Sequence, residues 1–253
     1  MMETGERGVS FGQDASTYDR ARPPYPDLVA DRVLALTGVS TAVEIGAGTG
    51  LATRAFARPG IQITCVEPDE AMASVLVARD LPGVDVVVST FEEWAGPSTP
   101  VDLVLAAQSW HWLDRETACG RAREWLRPGG ALALVWNVPQ HRYEKFVGVY
   151  AEHAPHLLEE SDSRITFRDS EVWLDDLSAA GLERVELFIH TWTQTLSVSE
   201  LRLLYSTYSD HILLETPVRE RLLDALETEV ADQGGLVDIE YETRIFSGIS
   251  PAS

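Results

Sequence analysis

A strand-like apolar run leads into a glycine-rich turn in the stretch Val43-Glu44-Ile45-Gly46-Ala47-Gly48-Thr49-Gly50. The three glycines allow the backbone to turn tightly and to lie against a ligand without obstruction by side chains. Many strand-to-helix turns contain glycines for packing reasons alone, so this turn needs a second feature before it indicates a binding site.

The second feature is an acidic residue at the end of the next predicted strand. Glu67 lies seventeen residues after Gly50, where a carboxylate can accept hydrogen bonds from both hydroxyls of a ribose. The turn and Glu67 together predict a nucleoside-containing ligand across the strand ends. The dinucleotide fingerprint has glycine or alanine at the position that Leu51 occupies here, and this difference argues against a nicotinamide cofactor.

Around the turn, short β-branched runs alternate with helical patterns from about residue 41 to 136, as expected for a parallel sheet with crossover helices. The predicted strands are Thr41–Gly46, Ile61–Glu67, Val84–Ser89, Val101–Ala107 and Ala131–Asn137. The predicted helices are Leu51–Ala57, Glu70–Arg79 and Arg115–Leu126. The sequence Arg127–Gly130 predicts a helix stop followed by a turn. These elements form a doubly wound core.

The pattern changes beyond Pro139. The predicted elements are then a helical stretch at Tyr143–Glu160, a helix at Glu171–Ala180, a strand at Val185–Thr195, helices at Ser199–Tyr208 and Pro217–Ala231, and a strand at Val237–Phe246. About forty residues separate the last two strands, so the helices between them are expected to form a cap. The sequence thus predicts a lead-in (residues 1–40), a cofactor-binding core (41–137) and the remainder of the sheet (138–253), with cap segments near 139–170 and 197–235.

The chain of 253 residues has 40 acidic and 20 basic side chains, which gives a formal net charge of −20. Residues 1–150 carry 19 acids and 13 bases, and residues 151–253 carry 21 acids and 7 bases. Such a surface repels polyanions and anionic lipid, which disfavours nucleic acid and membranes as partners. With no apolar run of about 18 residues and two cysteines in total, we expect a cytoplasmic protein without a disulfide framework.

Three strings resemble one family. Glu44-x-Gly46-x-Gly48-x-Gly50 resembles the first motif of the class I, Rossmann-like S-adenosylmethionine-dependent methyltransferases, and the resemblance covers residues 40–137. Phe11–Pro26, which contains Tyr18–Pro26, and Gln108–Asp114 are similar to segments of the small-molecule group of that family that includes the trans-aconitate methyltransferases, with Leu113 where phenylalanine is usual. The resemblance implies an α/β fold with a doubly wound, mostly parallel seven-stranded sheet, an antiparallel last strand and a helical lid inserted late in the chain.

By the same resemblance, the cofactor is S-adenosyl-L-methionine and the product S-adenosyl-L-homocysteine. Glu67 is expected to hold the ribose, Met72 to border the adenine and Arg22 to pair with the cofactor carboxylate. Many relatives have aspartate where Thr90 stands, so a hydrogen bond from this side chain to the adenine is in question. The expected cofactor-binding residues are Tyr18, Arg22, Glu44, Gly46, Gly48, Gly50, Glu67, Pro68, Met72, Thr90, Phe91, Ala106 and Gln108.

His111 is the candidate catalytic side chain, because an imidazole beside the methyl acceptor can remove a proton during transfer. The alternative is a histidine that orients the loop. The expected substrate-pocket residues are Tyr25, Trp110, Trp112 and Trp136, with aromatic core packing as the competing explanation for each. His153 and His156 have a ligand-like spacing, but without a third ligand we expect surface histidines and no metal.

The sequence therefore predicts methyl transfer from S-adenosylmethionine to a small-molecule acceptor. O-methylation of a carboxylate or hydroxyl is favoured, and N- or C-methylation is an alternative. A NAD-dependent oxidoreductase and a non-catalytic S-adenosylmethionine-binding protein are the other hypotheses. The expected assembly is a monomer or a homodimer.

Overall fold

A computed structural model describes residues 15–160 and 170–252 of the chain. The first part of the predicted lead-in, residues 1–14, and residues 161–169 of the first cap segment lie outside the described residues. The strands are β1 (Thr41–Ile45), β2 (Gln62–Glu67), β3 (Val84–Val88), β4 (Val101–Ala107), β5 (Leu126–Pro139), β6 (Glu183–Ser197) and β7 (Leu236–Ile249).

The strands form one seven-stranded sheet in the order β3-β2-β1-β4-β5-β7-β6. Strands β1 to β5 pair with one another in parallel, and β7 is antiparallel to both β5 and β6. The predicted fold class, a mostly parallel sheet with an antiparallel last strand, is confirmed. The strand order reverses between β1 and β4, and ligands of open α/β sheets bind at the carboxyl ends of strands at such a point.

Helices pack against the sheet, and further helices form a cap beside it. They are α1 (Ala15–Ala21), α2 (Asp27–Leu34), α3 (Leu51–Phe56), α4 (Glu70–Val77), α5 (Arg115–Trp125), α6 (Val147–His153), α7 (His156–Glu160), α8 (Ser170–Ala179), α9 (Val198–Ser206), α10 (Ser209–Ile212) and α11 (Thr216–Asp232). Short 3-10 turns lie at Trp110–Trp112 and Glu144–Phe146. The predicted helical stretch 143–160 is broken before Pro155, because a residue preceding proline is disfavoured in the helical region.

The start of β5 differs from the prediction. The sequence predicts a turn at Arg127–Gly130 and a strand from Ala131, whereas β5 already begins at Leu126, which pairs with Val101. The register shifts between Val101 and Leu103, and Gly129 has a φ of 74°. The residues of the expected turn are therefore part of the strand and form an irregularity in it. This happens because Val101 of β4 pairs with Leu126, ahead of the expected turn.

Two apolar clusters cover the two faces of the sheet, and strand alternation assigns the residues between them. In β4, Val104 and Ala106 belong to one cluster, whereas Leu103 and Leu105 belong to the other. A fully buried valine or leucine side chain contributes about 1.5–3 kcal/mol by leaving water. The central strands are thus buried on both faces, which explains their nearly continuous apolar sequences.

A third cluster joins the cap, defined here as residues 139–160 and 197–235, to the sheet. Tyr150, Leu204 and Leu226 from three cap helices pack together with Tyr241 from β7. Helix α9 begins at a capping box in which Ser197 and Glu200 satisfy each other's backbone N–H groups. The long strands β6 and β7 thereby hold the cap beside the sheet. Within the described parts of the chain, none of the helices combines the length and the apolar character needed to cross a membrane.

Candidate functional site

A cavity of about 400 Å³ lies at the carboxyl ends of β1, β2 and β4. Lead-in, core and cap residues all contribute to its wall. The sequence-predicted residues on this wall are Tyr18, Arg22, Tyr25, Glu44, Gly46, Gly48, Glu67, Pro68, Met72, Thr90, Phe91, Gln108, His111 and Trp112. The structure thus brings together most of the predicted site at the point where the strand order reverses.

Residues 46–49 of the glycine-rich turn form the floor of the cavity. Gly46, Gly48 and Gly50 have φ values of 65°, 57° and 84°, a region that favours glycine. A Cβ atom on Gly46 would lie 2.4 Å from the Cβ atom of Ser109, whereas a Cβ atom on Gly48 would meet nothing closer than the Met72 Sδ atom at 3.8 Å. Gly46 therefore allows two loops to touch, and Gly48 leaves bare backbone on the cavity wall.

Gly50 has a different role from the other two glycines. It is not among the residues that line the cavity, and a Cβ atom on it would lie 2.4 Å from the Leu76 Cδ1 atom of α4. The structure therefore places Gly50 at the contact between α3 and α4. The sequence predicts that Gly50 contacts the cofactor, but Gly50 is not part of the cavity wall.

Glu67 lies at the end of β2 and is buried. Its Oε2 atom accepts a hydrogen bond from Gly48 N at 2.7 Å, and its Oε1 atom accepts one from Asp69 N at 3.0 Å. Burial raises the pKa of Glu67, and the two backbone N–H groups oppose that shift. Since a carboxylate offers about four lone-pair sites, each oxygen can still accept a second hydrogen bond from a ligand hydroxyl.

Glu44 lies in β1 below the turn and is also buried. Thr53 donates its hydroxyl to the Glu44 Oε2 atom at 2.7 Å. Burial raises the pKa of Glu44 to about 7, and the neighbouring charge of Glu67 adds to the shift. Two buried carboxyl groups on one wall disfavour each other's ionisation, so this end of the cavity suits a cationic ligand group.

The opposite end of the turn presents an apolar surface. Met72 and Phe91 line the cavity, and Phe91 packs against Trp110 and Trp125 with ring centroids 6.1 and 5.2 Å away. Asp69 caps α4 by accepting hydrogen bonds from two backbone N–H groups at 2.9 Å. Together, these residues form a firm slot that suits a flat aromatic group.

Thr90 lines the same slot, and its hydroxyl oxygen accepts a hydrogen bond from Glu93 N at 3.1 Å. The side chain thus stabilises the turn that follows β3. Thr90, which stands where aspartate is more usual, therefore has a hydrogen-bond partner within its own turn.

The loop after β4 carries the candidate catalytic histidine. Gln108 has a φ of 60°, which is uncommon for a residue other than glycine, and its Nε2 atom donates to Asn137 O at 2.8 Å. His111 lines the cavity and accepts a hydrogen bond at its Nδ1 atom from Trp136 Nε1 at 3.3 Å. Burial lowers the pKa of His111 to about 4, so the imidazole is neutral near pH 7.

Three of the predicted residues on this side lie in the core. Trp110, Trp136 and Ala106 are fully buried and are not among the cavity-lining residues, whereas Trp112 and Ala107 line the cavity. Trp136 stacks on Trp173 with ring centroids 5.0 Å apart. For Trp110 and Trp136, the structure therefore supports the competing explanation of aromatic core packing.

The lead-in is tied to both the core and the cap. Arg79, in the turn after α4, forms an ion pair with Asp19 in α1, and its Nε atom donates to Thr49 O at 2.8 Å. Arg22 donates to the cap backbone at Thr207 O, at 2.7 Å. Helix α1 and the residue that follows it are thus held to the core through Asp19 and to the cap through Arg22.

Sequence reasoning missed the cap residues that face the cavity. Arg142, Tyr208 and Ser209 line it. The Arg142 guanidinium lies 3.7 Å from the Tyr208 ring centroid and pairs with both oxygens of Asp210 at 2.7 Å. Arg22 lies over the same ring at 4.8 Å. Arg142 follows the end of a central strand, and this position was the signal available in the sequence.

Asn137 is a further cavity residue that the sequence reasoning missed. Its Nδ2 atom donates to Pro24 O at 3.1 Å, and its Oδ1 atom accepts from the Thr243 hydroxyl at 2.6 Å. The amide therefore joins the lead-in, β5 and β7 behind the cavity. Among the described residues, no group of three or more histidine, cysteine, aspartate or glutamate side chains is arranged to hold a metal ion.

Comparison with known sequences shows that part of the chain is similar to methyltransferases. Residues 43–134 match the family described as a methyltransferase domain. An uncharacterised methyltransferase of Mycobacterium tuberculosis is 37% identical over 137 residues, which are 54% of this chain and 56% of the relative. An uncharacterised methyltransferase-like protein of Schizosaccharomyces pombe is 28% identical over 94% of both chains. The chain thus spans little more than half the length of the mycobacterial relative that it matches.

Comparison with solved structures extends the likeness to the whole sheet. A protein of Anaeromyxobacter dehalogenans assigned as a type II methyltransferase superposes with a TM-score of 0.65 at 19% identity, covering 92% of this chain and 99% of the other. A phosphoethanolamine N-methyltransferase of Haemonchus contortus, in complex with S-adenosylhomocysteine, gives a TM-score of 0.53 at 15% identity, covering 88% and 52%. At these identities the likeness shows a shared fold.

Proposed function

We propose that this protein transfers a methyl group from S-adenosyl-L-methionine to a small-molecule acceptor, because residues 43–134 match the methyltransferase-domain family and the sheet has the class I arrangement. The observation that carries the proposal is the pairing of the bare Gly48 backbone with the buried Glu67 carboxylate on one cavity wall. The acceptor atom we favour is an oxygen of a carboxylate or hydroxyl.

The residues present fit this cofactor. Glu67 has lone pairs left for two ribose hydroxyls, and Met72 with Phe91 forms the slot for an adenine. Arg22 reaches the cavity from the lead-in and can pair with a carboxylate. Burial raises the pKa of Glu44 to about 7, and a cationic ligand group beside the turn would favour its ionised form. When bound, the cofactor supplies an activated methyl group on a sulfonium.

What this chain contributes to the reaction is chiefly enclosure and alignment. Holding two reactants near attack distance supplies about 7–11 kcal/mol of the barrier reduction in favourable cases. Helix α1 and the cap close over the cavity through Arg22 and Thr207, which excludes water from the reacting atoms. Few dedicated catalytic side chains are needed for such a transfer.

The size and charge of the site support a small acceptor. A cavity of about 400 Å³ is within the range of small-molecule sites. The acceptor side is formed by His111, Trp112, Asn137, Arg142, Tyr208 and Ser209. The formal net charge of −20 disfavours a nucleic-acid substrate.

Isothermal titration tests the proposal directly. We expect saturable binding of S-adenosylmethionine and S-adenosylhomocysteine, and no binding of NADH in a parallel titration. An absence of heat with either sulfur cofactor at high micromolar concentration would refute the proposal. Binding of NADH alone would instead support the oxidoreductase alternative.

A further inference from the structure

The tryptophan below His111 is a rigid hydrogen-bond donor. Trp136 lies in β5 and is fully buried, stacked on Trp173 and in edge contact with Phe246 at 5.6 Å between ring centroids. Its Nε1 atom is 3.3 Å from His111 Nδ1. Packing on both sides prevents the indole from turning away, so the N–H group is directed at one atom of the imidazole.

This contact determines where the histidine proton lies. An indole N–H group can only donate, so His111 Nδ1 must present a lone pair. A neutral imidazole carries one proton, which then belongs to Nε2. Because burial keeps His111 neutral near pH 7, the Nε2–H tautomer is the form that the surrounding protein selects.

We propose that Trp136 is a positioning residue that holds His111 as the Nε2–H tautomer, so that His111 donates a hydrogen bond to the methyl acceptor and does not remove a proton from it. This inference rests on the proposed function and deepens it. In this tautomer Nε2–H can only donate, and the one basic nitrogen, Nδ1, already accepts the Trp136 N–H group. Protonation at Nδ1 would break that contact and create an imidazolium, which burial disfavours.

The tautomer limits the chemistry of the acceptor. An acceptor that needs deprotonation during transfer would require a base, and this histidine is held in the donor form. The site therefore suits an acceptor that arrives with an available lone pair, such as an ionised oxygen. His111 then orients that group by a hydrogen bond to an oxygen, a contact that a neutral donor makes without moving a proton.

Nitrogen-15 NMR of protein labelled in its histidines tests the tautomer in the intact chain. His111 is assigned by the signals lost in His111→Gln. At pH 7.5 we expect an unprotonated Nδ1 and a protonated Nε2. An Nδ1–H tautomer, or a charged ring, would overturn the proposal. This measurement needs no substituted tryptophan, so it decides the tautomer even if a tryptophan variant folds poorly.

The role of Trp136 is tested by Trp136→Phe, which keeps an aromatic ring in the stack and removes the N–H group. We expect a mixture of the two His111 tautomers in this variant. Trp173→Phe is the matched control, because it alters the same stack without touching the hydrogen bond, and it should leave the His111 signals unchanged. Unchanged signals in a folded Trp136→Phe protein would show that Trp136 does not select the tautomer.

Turnover separates a donor from a base. The probe is a panel of carboxylic acids, phenols and amines with radiolabelled S-adenosylmethionine. A glutamine can donate a hydrogen bond but cannot act as a base, so we expect His111→Gln to stay within about ten-fold of wild type and His111→Ala to fall at least ten-fold further. If His111 is a base, both variants should fall together by about 10²–10⁴-fold, and the proposal fails.

The two proposals fail separately. Loss of S-adenosylhomocysteine binding by the wild-type protein would count against the proposed function whatever the tautomer. A wrong tautomer with normal S-adenosylhomocysteine binding would count against the role of Trp136 and His111 alone.

Discussion

At the scale of the residue, Glu67 links the glycine-rich turn to the expected ribose site. Its two oxygens already accept hydrogen bonds from Gly48 N and Asp69 N, so the carboxylate is fixed in place before a ligand arrives. A preorganised acceptor loses little conformational freedom on binding. This makes Glu67 the most informative single side chain for testing cofactor affinity.

We therefore expect Glu67→Gln to weaken S-adenosylhomocysteine binding by about ten- to a hundred-fold, because each charge-assisted hydrogen bond contributes about 1.5–3 kcal/mol. Titration calorimetry measures the change. Glu93→Gln is the control, because Glu93 lies in the loop after β3, is exposed and does not line the cavity. Equal affinities for Glu67→Gln and wild type would remove Glu67 from the ribose site.

The three glycines of the turn show what one sequence can and cannot reveal. Their alternation correctly predicts a tight turn, since all three have positive φ values. The letters alone do not distinguish the contact of Gly46 with Ser109 from the packing of Gly50 against Leu76. That distinction depends on residues that are far away in the sequence.

Gly50→Ala should destabilise the protein more than Gly60→Ala. Both glycines have a left-handed φ, at 84° and 86°, but a Cβ atom would be 2.4 Å from Leu76 at position 50 and would meet nothing within 4 Å at position 60. We expect the left-handed strain of about 1–2 kcal/mol in both variants and a further 1–3 kcal/mol from overpacking at position 50. Urea unfolding measures the difference, and equal losses would contradict the packing role.

At the scale of the element, helix α1 closes the cavity. Its ion pair from Asp19 to Arg79 connects it to the turn after α4, and both side chains are about four-fifths buried at 21% and 18% exposure. A partly buried pair of this kind is weakened less by solvent than a surface pair. The helix is short, so these contacts, more than its own propensity, hold it in place.

Asp19→Asn should speed the dissociation of S-adenosylhomocysteine by several-fold, because it loosens α1 from α4 while leaving the cavity floor unchanged. Stopped-flow displacement measures this rate. Asp27→Asn is the matched control, since Asp27 pairs with Arg58 at 2.9 Å but is 83% exposed. Identical rates in the two variants would mean that α1 does not limit release.

The elements themselves were largely predictable. Apolar patterns correctly predicted all seven strands, because the buried parallel strands need continuous apolar sequences and the antiparallel strands β6 and β7 alternate apolar with polar residues. The predicted start of β5 at Ala131 was wrong, because the pairing of Leu126 with Val101 of β4 cannot be read from the local sequence. Trp110 and Trp136 were expected at the pocket, yet a buried aromatic in the core and one in a cavity wall have the same local pattern.

At the scale of the whole molecule, buried titratable groups determine how stability changes with pH. Burial lowers the pKa of both His111 and His211 to about 4, below the ordinary value of 6.5. The unfolded chain therefore binds more protons in this interval, and stability falls as the pH falls from about 6.5 towards 4. Glu44 acts in the opposite sense, because its pKa is raised to about 7 and its contribution is lost as the pH rises from 4.5 to 7.

Glu44→Gln should make the loss of stability on acidification steeper, because it removes the one opposing contribution among these three groups. Between pH 7.5 and 5, we expect the variant to lose more free energy of unfolding than wild type, by a difference on the order of 2 kcal/mol. Urea unfolding of the ligand-free protein at both pH values measures it. A parallel shift of the two curves would show that Glu44 titrates normally in the folded protein.

The contact between Arg22 and Thr207 joins residues that are 185 positions apart in the chain. During synthesis on a ribosome, the lead-in and the glycine-rich turn emerge well before the cap that completes the cavity. A nascent chain therefore carries the cavity-lining residues of the lead-in and the core before the cap residues that enclose the cavity have been made. The wall of the cavity is complete only after residue 209 has left the exit tunnel.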